Sequence, residues 1–197
     1  MFEELYSFLN RYTPVSSADF DTLMKKMEMR TYKKKEQLIH TGETEQHLYF
    51  VVKGLTRKYF KKGKQEIITH IVKEGGIISS AASFFSQTPS RYIVETIEPT
   101  TLLALSKQSL EELLATGNKW EKILRLMTTQ FFLVQEYRLL DNIRYTARER
   151  FVKFMEQNPD LLLRVPQKYL ASYLNIKPET FSRMKHLMAG VKNRKNL

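Results

Sequence analysis

The sequence predicts an α+β fold: an N-terminal antiparallel β-roll with flanking helices, then one long helix, then a helix-turn-helix. Three observations carry this. Between residues 30 and 106, apolar residues recur with period two in short β-branched and aromatic runs punctuated by glycines. From residue 118 to about residue 144 the period is helical without a break. Residues 165–188 then hold two short helical patterns separated by a tight turn, in the most basic part of the chain.

The predicted domains are 1–117, the roll; 118–144, a dimerisation helix; and 145–197, the helix-turn-helix unit. Residues 1–29 read as helix, with Phe2, Leu5, Phe8 and Leu9 apolar and a break at Thr13-Pro14. Ser17 is placed to cap a second helix burying Phe20, Leu23, Met24 and Met27, so this segment forms a lid on something larger. Strand runs follow at 37–40, 47–54, 55–60, 66–72, 92–97 and 102–106, with Lys61-Lys62-Gly63-Lys64 as a hairpin loop. Ser106 caps a short helix that ends at Thr116-Gly117. The long helix carries one apolar stripe through Trp120, Leu124, Met127, Phe131 and Val134, and another through Ile123, Leu133, Tyr137 and Leu140. An arc that wide usually touches two surfaces, the chain's own roll and a second copy of the same helix, so a homodimer is expected, the alternative being a helix wholly buried in one domain. Thr146 and Glu149 have capping-box spacing for a helix to about Gln157, stopped by Asn158-Pro159, and residues 161–165 read as strand or loop.

In the last segment, Leu170 and Leu174 face inward with Ala171 small between them, and Phe181, Met184 and Leu187 or Met188 form the second inward face. Glu179, Ser182, Arg183 and His186 point outward, where such side chains reach base edges and phosphates in a major groove. Lys177, Pro178, Thr180 and Lys185 complete the candidate DNA-binding set. An ordinary helical hairpin has the same apolar spacing. Charge favours DNA: from Arg164 onward there are eight Lys or Arg against one acid, Glu179, which is +7 of the chain's +11. Lys192 to Lys195 are expected on phosphate, or as a solvated tail.

Composition excludes several classes. With no cysteine there is no disulfide, thiolate zinc site or cysteine-held iron-sulfur cluster. No apolar run reaches membrane-spanning length, and acids stand where a secretory leader has bases, so a cytoplasmic protein without a membrane partner is expected. A cupin-like metalloenzyme, also built on a small roll, needs clustered histidines. His40, His47, His70 and His186 are scattered, with no H-x-H, and no enzyme or cofactor is expected.

The order of parts resembles the Crp/Fnr regulator family (cyclic AMP receptor protein-like) over nearly the whole chain. The resemblance rests on Gly42-Glu43 with the run from Leu48 to Gly54, on Gly75-Gly76-Ile77-Ile78, on Pro89-Ser90-Arg91, and on Glu179, Thr180 and Arg183. It implies a cyclic-nucleotide-binding-domain-like roll, a dimer through the long helix and a palindromic DNA site. It also identifies a candidate effector pocket at Gly75, Ser79, Ser80, Arg91 and Tyr92. Where nucleotide-binding relatives have Gly-Glu-Leu, this chain has Ser79-Ser80-Ala81, and Tyr92 follows Arg91 where they have Ser or Thr. The nucleotide pocket is therefore degenerate, and the roll is expected to take a different small-molecule anion or no ligand. Where the family has a β-hairpin wing this sequence has Ala189 to Leu197, so either a shortened winged-helix domain or a sequence cut before its wing is expected. A ligand-sensing dimer that does not bind DNA is the alternative reading.

Overall fold

A computed structural model describes residues 2–194, with side chains as far as His186. Helix α1 (Glu3–Asn10) buries Leu5 and Leu9. Helix α2 (Ser17–Met24) opens with a capping box: the Ser16 hydroxyl accepts the Asp19 N–H, and the Asp19 carboxylate accepts the Ser16 N–H, each at 3.2 Å. Ser16 rather than Ser17 is the cap because the acid three residues on completes that reciprocal pair.

Eight strands make two four-stranded antiparallel sheets. The first has the order β1 (Met27–Tyr32), β8 (Thr100–Ser106), β3 (His47–Lys53), β6 (Ile77–Ile78); the second has the order β2 (Gln37–Ile39), β7 (Ile93–Thr96), β4 (Thr56–Lys62), β5 (Gln65–Val72). Between them lies a core of Ile39, Tyr49, Val51, Ile78, Val94, Leu102 and Ala104. Met27 begins β1, opposite Leu105, instead of ending the preceding helix. The β4–β5 hairpin turns on Gly63 at φ 60°, the sign the first central position of a two-residue connection requires. Gly54 is needed for close approach as well as for its φ of 101°, since a Cβ there would come within 2.5 Å of Thr100 Oγ1 and 2.7 Å of the Pro99 carbonyl.

The outer face of the first sheet is covered by helices. Helix α3 (Ala81–Ser86) follows β6, and α4 (Lys107–Leu114) starts at Ser106, whose hydroxyl accepts the Ser109 N–H at 3.0 Å. Helix α5 runs Asn118–Arg144 as predicted. Its first turns drive Trp120 and Ile123 into a cluster with Leu5, Leu9, Leu23, Phe50, Leu103, Leu110 and Leu113. Leu124 and Met127 pack on that cluster too. Trp120 is therefore buried within the chain itself, and Leu124 and Met127 are partly buried against the same cluster. Only the later part of the predicted stripe is free, with Phe131 and Val134 exposed.

The outer face of the second sheet carries the C-terminal unit. Helix α6 (Ala147–Gln157) has the Thr146/Glu149 capping box. Residues 161–164 form a helical turn, α7 (Leu161–Arg164), rather than strand. Four consecutive apolar or long side chains have no period to read, and the Asp160 carbonyl takes the Leu163 N–H at 3.2 Å. Helices α8 (Gln167–Tyr173) and α9 (Pro178–Arg194) follow. Because α9 continues to Arg194, no wing strand lies among the described residues. One apolar cluster unites Leu55, Tyr59, Ile68, Ile93 and Ile97 of the roll with Phe151, Phe154, Tyr169, Leu170, Leu174 and Phe181. The C-terminal unit is thus docked, at roughly 1.5–3 kcal/mol for each large apolar side chain fully buried.

Candidate functional site

The turn between α8 and α9 is set by Asn175 at φ 54°. The Ile176 N–H bonds the Ala171 carbonyl at 2.9 Å and the Asn175 N–H bonds the Ser172 carbonyl at 3.1 Å, a Schellman closure with asparagine in the left-handed position. Ala171 is fully buried where the two helices approach, and Phe181 is fully buried against Phe151, ring centroids 5.1 Å apart. With Phe181 facing in, Glu179, Arg183 and His186 are exposed, as are Lys177 and Pro178, while Thr180, Ser182 and Lys185 are half-buried. The sequence-predicted Lys192–Lys195 cluster lies outside the residues whose side chains are described. Arg164 leaves the basic set: its guanidinium holds both oxygens of Glu74, at 2.6 and 3.0 Å, and reaches Glu98 at 2.5 Å. Glu74 answers two forces, burial that raises its pKa and the stronger combined pull of Arg164 and the Gly54 N–H, which brings it to about 2.

The docking of α8 uses the edge of the second sheet. Strand β5 is the last of its sheet among the described residues, and the Ser172 hydroxyl meets its open side, accepting the Ile68 N–H and donating to the Glu66 carbonyl, both at 3.0 Å. Beside it, Arg57 is 2% exposed between the rings of Tyr59 and Tyr169, 4.0 Å from each centroid. It donates to Glu95 at 2.8 and 3.0 Å and to Glu66 at 2.6 Å. Burial opposes the charge on Arg57, but these hydrogen bonds outweigh it and the pKa is raised.

In the roll, the predicted effector residues divide. Ser79 and Ser80 are buried: Ser79 donates to the His47 carbonyl at 3.0 Å, and the Ser80 N–H donates to Glu45 at 3.3 Å. Glu45 is itself 2% exposed, and burial raises its pKa. Arg91 is exposed, and among the described residues it makes no hydrogen bond or ion pair with them. Ser90 does, 2% exposed, its hydroxyl 2.7 Å from that of Ser80. The hydroxyl pair that meets there is Ser80 with Ser90. Gly75 forms the turn before β6, at φ 77°. Tyr92 is half-buried, with the Lys58 ammonium 5.3 Å over its ring.

Sequence reasoning missed Lys58 and His70. Across the hairpin Tyr59 faces Ile68 and Lys58 faces His70, so Thr69 is an extra residue, a β-bulge. Without it Ile68 and His70 would share a face. With it Ile68 turns to α8 while His70 turns to α5, stacking on Phe131 with ring centroids 6.0 Å apart. Arg138 of α5 donates to the freed Thr69 carbonyl and to the Tyr173 carbonyl, the latter at 3.2 Å. Among the described residues no group of three or more His, Asp or Glu side chains is placed to hold a metal, and no helix is long and apolar enough to cross a membrane.

Two rolled antiparallel sheets with this helical frame form a cyclic-nucleotide-binding-type jelly roll, and residues 29–117 match the cyclic nucleotide-binding domain family. In fold, the chain is similar to Crp/Fnr-family regulators. It superposes on FixK2 of Bradyrhizobium japonicum with a TM-score of 0.71 at 22% identity, covering 84% of this chain and 86% of that one. For CLP, the c-di-GMP-responsive global regulator of Xanthomonas campestris, the TM-score is 0.69 at 17% identity, with 89% and 93% covered. For the catabolite activator protein of Thermus thermophilus it is 0.58 at 20% identity, with 94% and 88% covered. No curated protein sequence matches the chain.

Proposed function

We propose that the chain is a non-enzymatic DNA-binding regulator of the Crp/Fnr type, a homodimer that reads a near-palindromic duplex through α9 and is not controlled by cyclic AMP. The observation that carries the reading is the α8–Asn175–α9 geometry, which buries Phe181 and leaves Glu179, Arg183 and His186 exposed on a helix whose first helical partner is already anchored. Glu179 and Arg183 are four residues apart and share a face. Their chemistry suits cytosine N4 and guanine O6/N7, and Lys177 and Lys185 suit phosphate. The dimer is supported by the second half of α5, where Phe132, Leu139 and Ile143 are 60, 58 and 76% exposed, an apolar surface that a twin helix covers. A two-fold dimer places half-site centres about 34 Å apart. The Ser80–Ser90 hydroxyl pair supports the lack of cyclic AMP control, since the Glu45 carboxylate beside it is buried and already accepts the Ser80 and His47 N–H groups, and Arg91 is exposed.

The test is selection of bound sequences from random duplex DNA, with salt titrations. Arg183→Lys keeps the charge but loses the planar fork, so discrimination at one base pair per half-site should fall by roughly 1–3 kcal/mol with the salt slope nearly unchanged. Lys185→Ala should weaken all sequences alike and reduce the slope by about one. Equal loss on every sequence for Arg183→Lys, or no duplex retained by the wild type at physiological salt, refutes the reading. Calorimetry should show no tight cyclic AMP complex.

A further inference from the structure

The end of α8 and the turn after it present three consecutive carbonyls, those of Tyr173, Leu174 and Asn175, and two arginines from other helices take all three. Arg150 of α6 donates to the Leu174 carbonyl at 3.1 Å and to the Asn175 carbonyl at 3.3 Å, while its other terminal nitrogen donates to the Tyr145 carbonyl at 2.5 Å. Arg138 of α5 donates to the Tyr173 carbonyl at 3.2 Å, and its guanidinium lies 4.2 Å from the centroid of the Tyr173 ring. A cation is favourable at a helix C-terminus, where the last carbonyls lack intrahelical partners. The two clamps differ in reach. Arg150 ties α6 to α8, within the C-terminal unit. Arg138, half-buried, also donates to the Thr69 carbonyl, so one side chain joins α5, the bulge of the roll and the first helix of the helix-turn-helix. The covalent link between α5 and α6 is only Tyr145 and Thr146, both extended, and the breadth of the extended region leaves the angle between the helices open. Another brace across that joint is the Lys153–Asp141 ion pair at 2.7 Å, with both side chains about a third or more exposed and the pair therefore weak.

We propose that Arg138 is the positioning residue that sets the angle between α5 and the reading helix α9, and with it the separation of half-sites that the dimer accepts. Turning the C-terminal unit about the Tyr145–Thr146 link pulls the Tyr173 carbonyl off Arg138, whereas Arg150 and the carbonyls it holds on α8 travel together. The lever is long. With each reading helix about 17 Å from a two-fold axis, half of the ~34 Å between half-site centres, a swing of about 10° shifts it by about 3 Å, close to the ~3.4 Å rise of one base pair. Holding that angle therefore decides between adjacent spacings. Arginine suits the task because its planar fork bonds carbonyls of two bodies at once, which the compact ammonium of lysine does not do in the same geometry. The consequence for DNA rests on the regulator reading; the pin between the roll, α5 and α8 does not.

Two readouts on the full-length protein test this. The chain has no cysteine, so spin labels at Glu121→Cys on α5 and His186→Cys on α9, diluted in unlabelled protein, report the distance between the two helices without DNA. Arg138→Met should at least double the width of that distance distribution, Arg138→Lys should fall between, and Lys153→Met should match its parent. Binding is then measured on unlabelled chains, with the selected half-sites at their preferred separation and one base pair closer or farther. The wild type should favour its preferred separation by at least tenfold, and Arg138→Met should cut that preference to about threefold or less. A merely structural loss would instead lower affinity at all separations alike. Trp120 fluorescence checks that each variant is folded. An unchanged distance width in a folded Arg138→Met variant, an unchanged spacing preference, or an equal effect of Lys153→Met overturns the proposal. If the wild type holds no duplex at any separation, the regulator reading fails, and the distance widths still decide the pin.

Discussion

Replacing Arg57 by Leu should destabilise the protein far more than any surface ion pair would. The guanidinium is 2% exposed, and its main partner Glu95 is 5% exposed. With Arg57 gone, the Glu95 carboxylate keeps only the Tyr59 hydroxyl at 3.1 Å and the Gln37 amide at 3.4 Å. Stranding a buried charge in this way costs about 3–5 kcal/mol, and two desolvated ring faces are lost as well. For a chain of this length each kcal/mol moves Tm by about 2–4 °C, so a fall of roughly 10 °C is expected. Glu66, whose side chain is 34% exposed, is the internal control: Glu66→Gln should cost no more than about 1 kcal/mol because water takes over its solvation. The double variant Arg57→Leu/Glu95→Leu should recover most of the loss, since removing both buried charges leaves nothing stranded. Thermal and urea unfolding followed by circular dichroism and by the single tryptophan, Trp120, measure all four proteins. If Arg57→Leu costs no more than Glu66→Gln, or the double variant shows the summed loss of its parents, the stranded-charge reasoning is wrong.

Three further outcomes are expected. Ile143→Glu puts a charge in the exposed apolar half of α5 and should convert a dimer to monomers by sedimentation; a wild type that is already monomeric at micromolar concentration refutes the dimer. Ser172→Ala removes the partner of the Ile68 N–H, so hydrogen exchange at that amide should speed up by more than at the hairpin-paired amides of β5, and unchanged exchange would mean that α8 is not seated on the edge. Lys58 has a folded pKa of about 8 against an ordinary 10.5, so the unfolded chain binds more protons between those values and wild-type stability should rise with pH across that window. Lys58→Met should be more stable than wild type at pH 7, with the gap narrowing toward pH 10; parallel profiles by thermal melting would contradict the shift.

What the chain reveals on reading follows from where each element's side chains go. The β4–β5 hairpin is legible because Gly63 marks the turn and both strands alternate around it. Strand β1 is not: Met27–Tyr32 lies at a sheet edge with half its residues exposed, so alternation is faint and Met27 reads as helical. Helices α8 and α9 with the tight turn between them are legible, since apolar spacing acts locally. The contact between Ser80 and Ser90 is less so, since two serines ten residues apart carry no signal that their hydroxyls meet. Lys58 is the hardest, because a lysine in an alternating strand reads as solvent-facing. Helix α5, distant in sequence, lies across that face of the roll beside Lys58.

The single serine that seats α8 against β5 also has a consequence for solubility. While Ser172 and the surrounding apolar contacts hold, the last strand of that sheet cannot recruit another chain. When the C-terminal unit swings away, the backbone groups of Glu66 and Ile68 are bared together with Tyr59 and Ile68, a sticky ledge open to strand addition from any neighbour. Variants that loosen the docking should therefore show a second kind of self-association, concentration-dependent and rich in intermolecular β-structure by infrared spectroscopy, unrelated to helix pairing.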